Sequence, residues 1–131
     1  MSSQEYLRPA ICIDLKKNRI RIHKQTLKLL GNPAYIQLLV NPNDARIAIR
    51  PTCAGDHLAH HIKRVPKGFK RDNEIYSADL IKALNTISFG WEQDHMYRIY
   101  GKLNQKENVV YFDIKNMVVL EESSQDETES V

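Results

Sequence analysis

The chain has 131 residues, 42% of them hydrophobic and 27% charged, a balance that suits one small globular domain and argues against disorder throughout, collagen-like repeats and a coiled coil. No stretch approaches the roughly 18–20 apolar residues that span a membrane, and the first residues lack the basic and apolar regions of a secretory signal. Two cysteines, Cys12 and Cys53, are too few for a disulfide framework, so the expectation is a cytoplasmic protein with reduced thiols and no membrane association.

The net charge of +3 hides three zones. Residues 1–71 carry a surplus of +10, residues 72–120 a balance of −2, and residues 121–131 a balance of −5. Ten surplus positive charges in the first half favour a polyanionic partner, because each Lys or Arg placed on a phosphate releases counterions; the plainer reading is a solvated basic face. The tail from Glu121 to Val131 has almost no apolar residues and is expected to be disordered and acidic.

Residues 1–9 are expected to form a flexible arm. Ala10–Leu15 alternates, with Ile11, Ile13 and Leu15 on one side, and predicts a half-buried strand. After a turn at Lys16–Asn18, the run Arg19-Ile20-Arg21-Ile22-His23 is the clearest amphipathic strand, with the isoleucines on one face and the basic residues on the other. Lys24–Leu30 predicts a short helix, with Gly31 at its C-cap and Asn32-Pro33 blocking continuation. Tyr35–Val40 predicts a buried strand, Asn41–Asp44 a turn and Arg46–Arg50 the returning arm, ended by Pro51. Residues 52–73 read as a connector, with one or two helical turns between Asp56 and Lys63 and a basic run from Lys63 to Arg71. Ser77 is a candidate N-cap for a helix over Ala78–Ile87. Met96–Tyr100 predicts a strand, Gly101–Asn108 a polar turn region, Val109–Ile114 the partner strand and Met117–Leu120 a last short strand. The expected fold is α+β: small hairpin-rich sheets or a barrel with two to three short helices. Residues 10–120 would form one compact domain of two similar halves, 10–51 and 74–120, in the manner of a duplication.

The run from Asn18 through Arg19-Ile20-Arg21-Ile22-His23 to Leu30-Gly31, followed by Tyr35–Val40, Asn41–Asp44 and Arg46–Pro51, resembles the AbrB/SpoVT/MazE-type swapped-hairpin domain over about a third of the chain. His23 stands where that family commonly has proline, and Asn32-Pro33-Ala34-Tyr35 replaces its usual turn. The resemblance implies an obligate dimer that binds DNA, with Arg19, Arg21 and Lys24 at the positions that carry over.

Lys17, Arg19, Arg21 and His23 alternate, so their heads would follow a phosphate backbone at strand spacing, and Arg46 and Arg50 share one face of a second strand. Lys63, Arg64, Lys67, Lys70 and Arg71 form a second basic contact in the connector. The late aromatics Trp91, Tyr97, Tyr100 and Tyr111 suit an interface, and Tyr97 and Tyr111 would stack bases if exposed beside basic groups. Cys53, His57, His60 and His61 are the best metal-ligand cluster, but adjacent histidines seldom share one ion and surface histidines are the plainer reading. No nucleophile motif, P-loop or dinucleotide-binding glycine pattern is present, so no catalytic residue, metal or cofactor is assigned. The expected function is a non-enzymatic DNA-binding module, a small transcriptional regulator acting on duplex DNA as a homodimer. The alternative is an inhibitor or adaptor from a phage or mobile element that binds a nucleic-acid-processing protein, such as a CRISPR nuclease.

Overall fold

The computed structural model describes residues 8–63, 73–87 and 95–120. The strands are β1 (Ala10–Asp14), β2 (Arg19–Ile22), β3 (Tyr35–Asn41), β4 (Arg46–Thr52), β5 (His60–His61), β6 (Asn73–Tyr76), β7 (Met96–Asn104), β8 (Val109–Asp113) and β9 (Val118–Leu120). Two helices, α1 (Lys24–Leu29) and α2 (Ala78–Ile87), and one 3-10 turn at Ile114–Asn116 complete the described elements. Among the described residues the fold is sheet-rich, with 48% strand. It is mostly β rather than the α+β mixture expected, because strand residues dominate and the helices are only short links between strands.

The strands follow the order β5-β3-β4-β8-β7-β1-β2-β6, and every pairing is antiparallel. The two ends of this path approach each other, since the Lys63 N–H just beyond β5 donates to Asn73 Oδ1 at the start of β6, at 2.9 Å. The sheet is thus a nearly closed barrel. Alternate residues point inward: Ile11, Ile13, Ile20, Ile22, Ile47, Ile49, Ile99, Val110 and Phe112 are all buried in one core. Residues 10–51 and 74–120 interleave in this sheet, with β4 beside β8, β1 beside β7 and β2 beside β6. Exchanging β1–β4 with β5–β8 leaves the strand order unchanged once β5 and β6 are counted as neighbours.

Three hairpins share one turn design. Each begins with an Asx side chain that accepts main-chain N–H groups: Asp14 from Lys16 and Lys17 at 3.1 and 3.2 Å, Asn41 from Asn43 and Asp44 at 3.0 and 3.3 Å, and Asn104 from Glu107 at 3.2 Å. Each has a left-handed residue just before the returning strand, at Asn18, Ala45 and Asn108, with φ of 52°, 53° and 55°. Asn tolerates this conformation, whereas Ala carries a steric penalty there.

Helix α1 ends in a Schellman arrangement. The Asn32 N–H donates to the Leu27 carbonyl at 2.8 Å and Gly31 N–H to Lys28 at 3.0 Å, with Gly31 at φ 86°. Its buried Thr26 hydroxyl accepts from the Ala10 N–H at 3.0 Å and donates to the Ala10 carbonyl at 2.9 Å, which pins the helix to β1. Ser77 caps α2 by accepting from the Leu80 N–H at 3.2 Å, as its sequence position predicts, and Ile81 and Leu84 reach the core.

Strand β7 extends through residues expected to be a turn. Its first half, Met96–Tyr100, pairs with β1 on one side, and Met96–Arg98 pairs with β9 on the other. Its second half, Gly101–Asn104, pairs with β8. Gly101 marks the exchange of partners and has no room for a side chain. A Cβ there would lie 2.6 Å from the Tyr111 carbonyl oxygen and 2.7 Å from the Phe112 ring.

Other expectations need correction. Asp56–Lys63 is not helical; it forms turns that end in the two-residue strand β5. Pro51 does not end β4, which runs to Thr52. The β8 pairing covers only Arg46–Ile49, so the missing N–H of Pro51 breaks no ladder bond to β8. Strand β6 was not anticipated, because its short run Asn-Glu-Ile-Tyr has little alternation. The segments 1–7, 64–72, 88–94 and 121–131 lie outside the described residues, so the expected disordered tail and most of the arm and basic connector fall there.

Two stability measurements test this account. Gly101→Ala should lower unfolding free energy by about 2 kcal/mol or more, because one of the crowded atoms is backbone and cannot rotate away. Ala45→Gly should raise it by about 1 kcal/mol by relieving the left-handed strain. Urea unfolding followed by circular dichroism reads both.

Candidate nucleic-acid interface

On the outer face, β4, β8 and β7 lie side by side and present the residues that alternate with the core set. Arg46, Ala48 and Arg50 face outward on β4, Tyr111 and Asp113 on β8, and Arg98, Tyr100 and Lys102 on β7. Ladder pairing places Ala48 opposite Tyr111, and Tyr111 opposite Lys102, while Arg46 stands opposite Asp113. Small Ala48 leaves the Tyr111 side of the face low. The chain just before β1 adds Arg8, whose guanidinium carbon lies 4.1 Å from the Tyr100 ring centroid. Arg46 lies 5.7 Å from the Tyr111 ring centroid. These cation–π contacts hold each guanidinium near an aromatic face without neutralising its charge.

The result is a hollow of about 500 Å³ lined by Arg8, Arg46, Tyr100, Lys102, Tyr111 and Asp113 among others. It adjoins a second, more open hollow of about 620 Å³ that shares Arg46, Lys102 and Tyr111 and reaches Lys106 in the β7–β8 turn. The Tyr111 hydroxyl donates to Glu107 at 2.7 Å, and that carboxylate pushes the phenol above its ordinary value of 10.0. Tyr111 is therefore a neutral ring at physiological pH. Asp113 supplies one acidic group at the rim, where it caps the 3-10 turn by accepting from the Lys115 N–H at 3.0 Å.

The basic strand residues expected to lead the site have other partners. Arg19 donates through Nε to Asp14 at 3.1 Å and through a terminal nitrogen to Glu74 at 2.8 Å. Burial works against its charge, but hydrogen bonding with Tyr76 and the charges of Glu74 and Asp14 outweigh it and hold the guanidinium above its ordinary value. Arg21 also approaches Glu74, at 3.4 Å. These are the ion pairs found among the described residues, and they join β1, β2 and β6 through buried Asp14. Arg50 is exposed, but its Nε donates to Gln37 Oε1 at 2.8 Å. Gln37 in turn donates to Asp56 at 2.7 Å. Lys17 is exposed in the β1–β2 turn and Lys24 at the start of α1, while exposed Lys63 lies beside the barrel seam. His23 faces Cys12, with Nε2 3.5 Å from the sulfur.

Tyr97 is only 2% exposed and stacks on His95, so its ring belongs to the interior. Tyr100 and Tyr111 are half-buried on the outer face. Arg64, Lys67, Lys70, Arg71 and Trp91 lie outside the described residues. Neither cysteine forms a disulfide, Cys12 being buried and Cys53 exposed. No three His, Cys, Asp or Glu side chains among the described residues come together to hold a metal ion. No helix among them is long and apolar enough to cross a membrane.

Sequence reading missed Arg8 and Lys102. Lys102 was assigned to a turn, although Arg98, Tyr100 and Lys102 alternate with Ile99 and Leu103 straight through Gly101. Arg8 carries no periodic signal, since it sits in the arm and reaches Tyr100 only in three dimensions.

Comparison with protein-family models, curated proteins and solved structures finds no match to this chain.

The Gln37–Asp56 network gives a pH prediction. The Leu58 N–H and the Thr52 hydroxyl, donating at 2.9 and 2.8 Å, hold the Asp56 carboxyl below its ordinary value of 3.8. A depressed carboxyl contributes stability above the unfolded pKa and loses it as pH falls through the lower folded value. Wild type should therefore melt above Asp56→Asn by a constant margin down to about pH 5. The margin should close as pH drops below 3.8, as followed by thermal melts across pH.

Proposed function

We infer that the protein is a non-enzymatic nucleic-acid-binding module, with DNA phosphates held by Arg8, Arg46 and Lys102 on the outer face of β4, β8 and β7. The observation that supports this reading is the gathering of these three cations around one open hollow, while the ion pairs among the described residues involve Arg19 and Arg21 instead. Cations that neutralise no carboxylate remain available to a phosphate, and their contacts raise affinity by releasing counterions. Arg19 and Arg21, the positions implied by the swapped-hairpin resemblance, serve the fold first. Lys17 and Lys24 are exposed and would extend the field rather than build the site. A role as a small transcriptional regulator is consistent with the size of the domain and the lack of a nucleophile motif.

A second reading, an inhibitor or adaptor that binds a protein, is favoured by one observation. Val118 and Val119 of edge strand β9 are 51% and 50% exposed, and such apolar edges accept partners.

A fluorescence titration of labelled random-sequence duplex at about 50 and 200 mM salt tests the first reading, because phosphate-driven binding falls steeply over that range. The double variant Arg46→Ala, Lys102→Ala should bind weakly and lower the slope of log affinity against log salt by about two. Arg19→Ala should instead lower the melting temperature. No binding of any nucleic acid at the lower salt would turn attention to the β9 edge.

A further inference from the structure

We propose that the face formed by Tyr100, Tyr111, Arg8, Arg46 and Lys102 takes a single-stranded nucleic acid, with bases stacked on the two tyrosines and phosphates on the cations. This rests on the reading above and names the form of nucleic acid that the site selects.

Three observations carry it. First, the two tyrosines project from the outer face of adjacent strands, whereas the other aromatics of the same strands, Tyr97 and Phe112, are buried. A solvent-facing pair of rings on a sheet is a platform for unpaired bases, whose faces are covered in a duplex. Second, the cations flank the rings. Arg8 lies over Tyr100, so a base there would stack on the Arg8 guanidinium or take its place on the ring; Arg46 lies near Tyr111, and Lys102 is the ladder partner of Tyr111. Phosphates of a strand whose bases rest on the rings would fall within reach of these heads. Third, the site lies in a hollow on the curved wall of a barrel. Among the described residues no helix or two-stranded ribbon projects from this face, as entry into a major groove requires.

The strand exchange noted above supplies an internal control. Matching the turns Asn41–Ala45 and Asn104–Asn108 sets Gln37 at the place of Tyr100 and Ala48 at the place of Tyr111. At the place of Tyr100, Gln37 is 8% exposed and held by Arg50 and Asp56. At these two positions the equivalent surface carries a polar network and an alanine in place of the two tyrosines, and its nearest ring, Tyr35, packs against His61.

The test uses the full chain and three labelled probes: oligo-dT and oligo-U of about 12 nucleotides, within the span one small domain covers, and a random-sequence duplex of the same length. Anisotropy is read at about 50 and 200 mM salt. The expected result is tighter binding of single strands than of duplex. Tyr100→Ala and Tyr111→Ala should each weaken strand binding about ten-fold with an unchanged salt slope, and Tyr111→Phe should retain it, because the ring rather than the hydroxyl stacks. Thermal melts of the same variants separate lost stacking from lost folding. Binding of either strand above duplex supports the inference, and the ratio of oligo-dT to oligo-U identifies the sugar the face accepts. Duplex bound as tightly as either strand, with no loss in the tyrosine variants, overturns this inference and leaves the nucleic-acid reading standing. Failure of all three probes to bind at the lower salt overturns both.

Discussion

The change of partner along β7 at Gly101 is the constraint on which the rest of the barrel depends. One strand serves β1 and β9 with its first half and β8 with its second, so it joins two regions of sheet that would otherwise have only edges. The Phe112 ring and the Tyr111 carbonyl occupy the space beside Gly101 where a side chain would point. Dense packing at that point locks the register of β7 against β8. Register in turn decides which residues face outward, since a slip of one residue exchanges the two faces. Tyr100, Lys102 and Tyr111 share an outer surface because this one position admits only glycine.

Arginine does two different jobs in this molecule, and geometry separates them. Arg19 and Arg21 sit where β2 is flanked by β1 and β6, with Asp14 and Glu74 within reach. Asp14 is buried and would be costly as an unpaired carboxylate, so its ion pair with Arg19 and its bonds to the Lys16 and Lys17 N–H groups satisfy a turn that closes the first hairpin. Arg8 and Arg46 lie instead over tyrosine rings. A ring attracts a guanidinium weakly and leaves its charge uncancelled. The same side chain is thus a structural tie on β2 and an accessible cation beside β8.

Much of the local structure was legible. Period-two alternation located β1 and β2, apolar runs flanked by turn signals located β3, β4 and β8, and the Ser77 cap and Leu30-Gly31 stop located both helices, because these signals arise from neighbouring residues. Longer-range choices were not legible. Gly101 and Lys102 looked like a turn because glycine usually interrupts a strand, yet here glycine permits a strand to change partners. His60 and His61 looked like part of a loop or helical turn, and they form a strand only through pairing with Tyr35 and Ile36. The basic face of β2 was identified correctly as a face, but its neighbour β6, which brings Glu74 against it, had no recognisable pattern.

The amino-acid sequence by itself determined the strand-rich character, the positions of the Asx turns, the helix ends and the uneven distribution of charge. Each follows from side-chain volume, hydrogen-bonding groups or backbone freedom within a few residues. Only the tertiary structure decided which charges are cancelled and which remain. Asp14, Arg19 and Glu74 are far apart along the chain or on separate strands, and Arg8 reaches Tyr100 across most of its length. Contacts at such separations depend on strand order and register, and these are set by how the whole barrel buries its isoleucines rather than by any local run of residues.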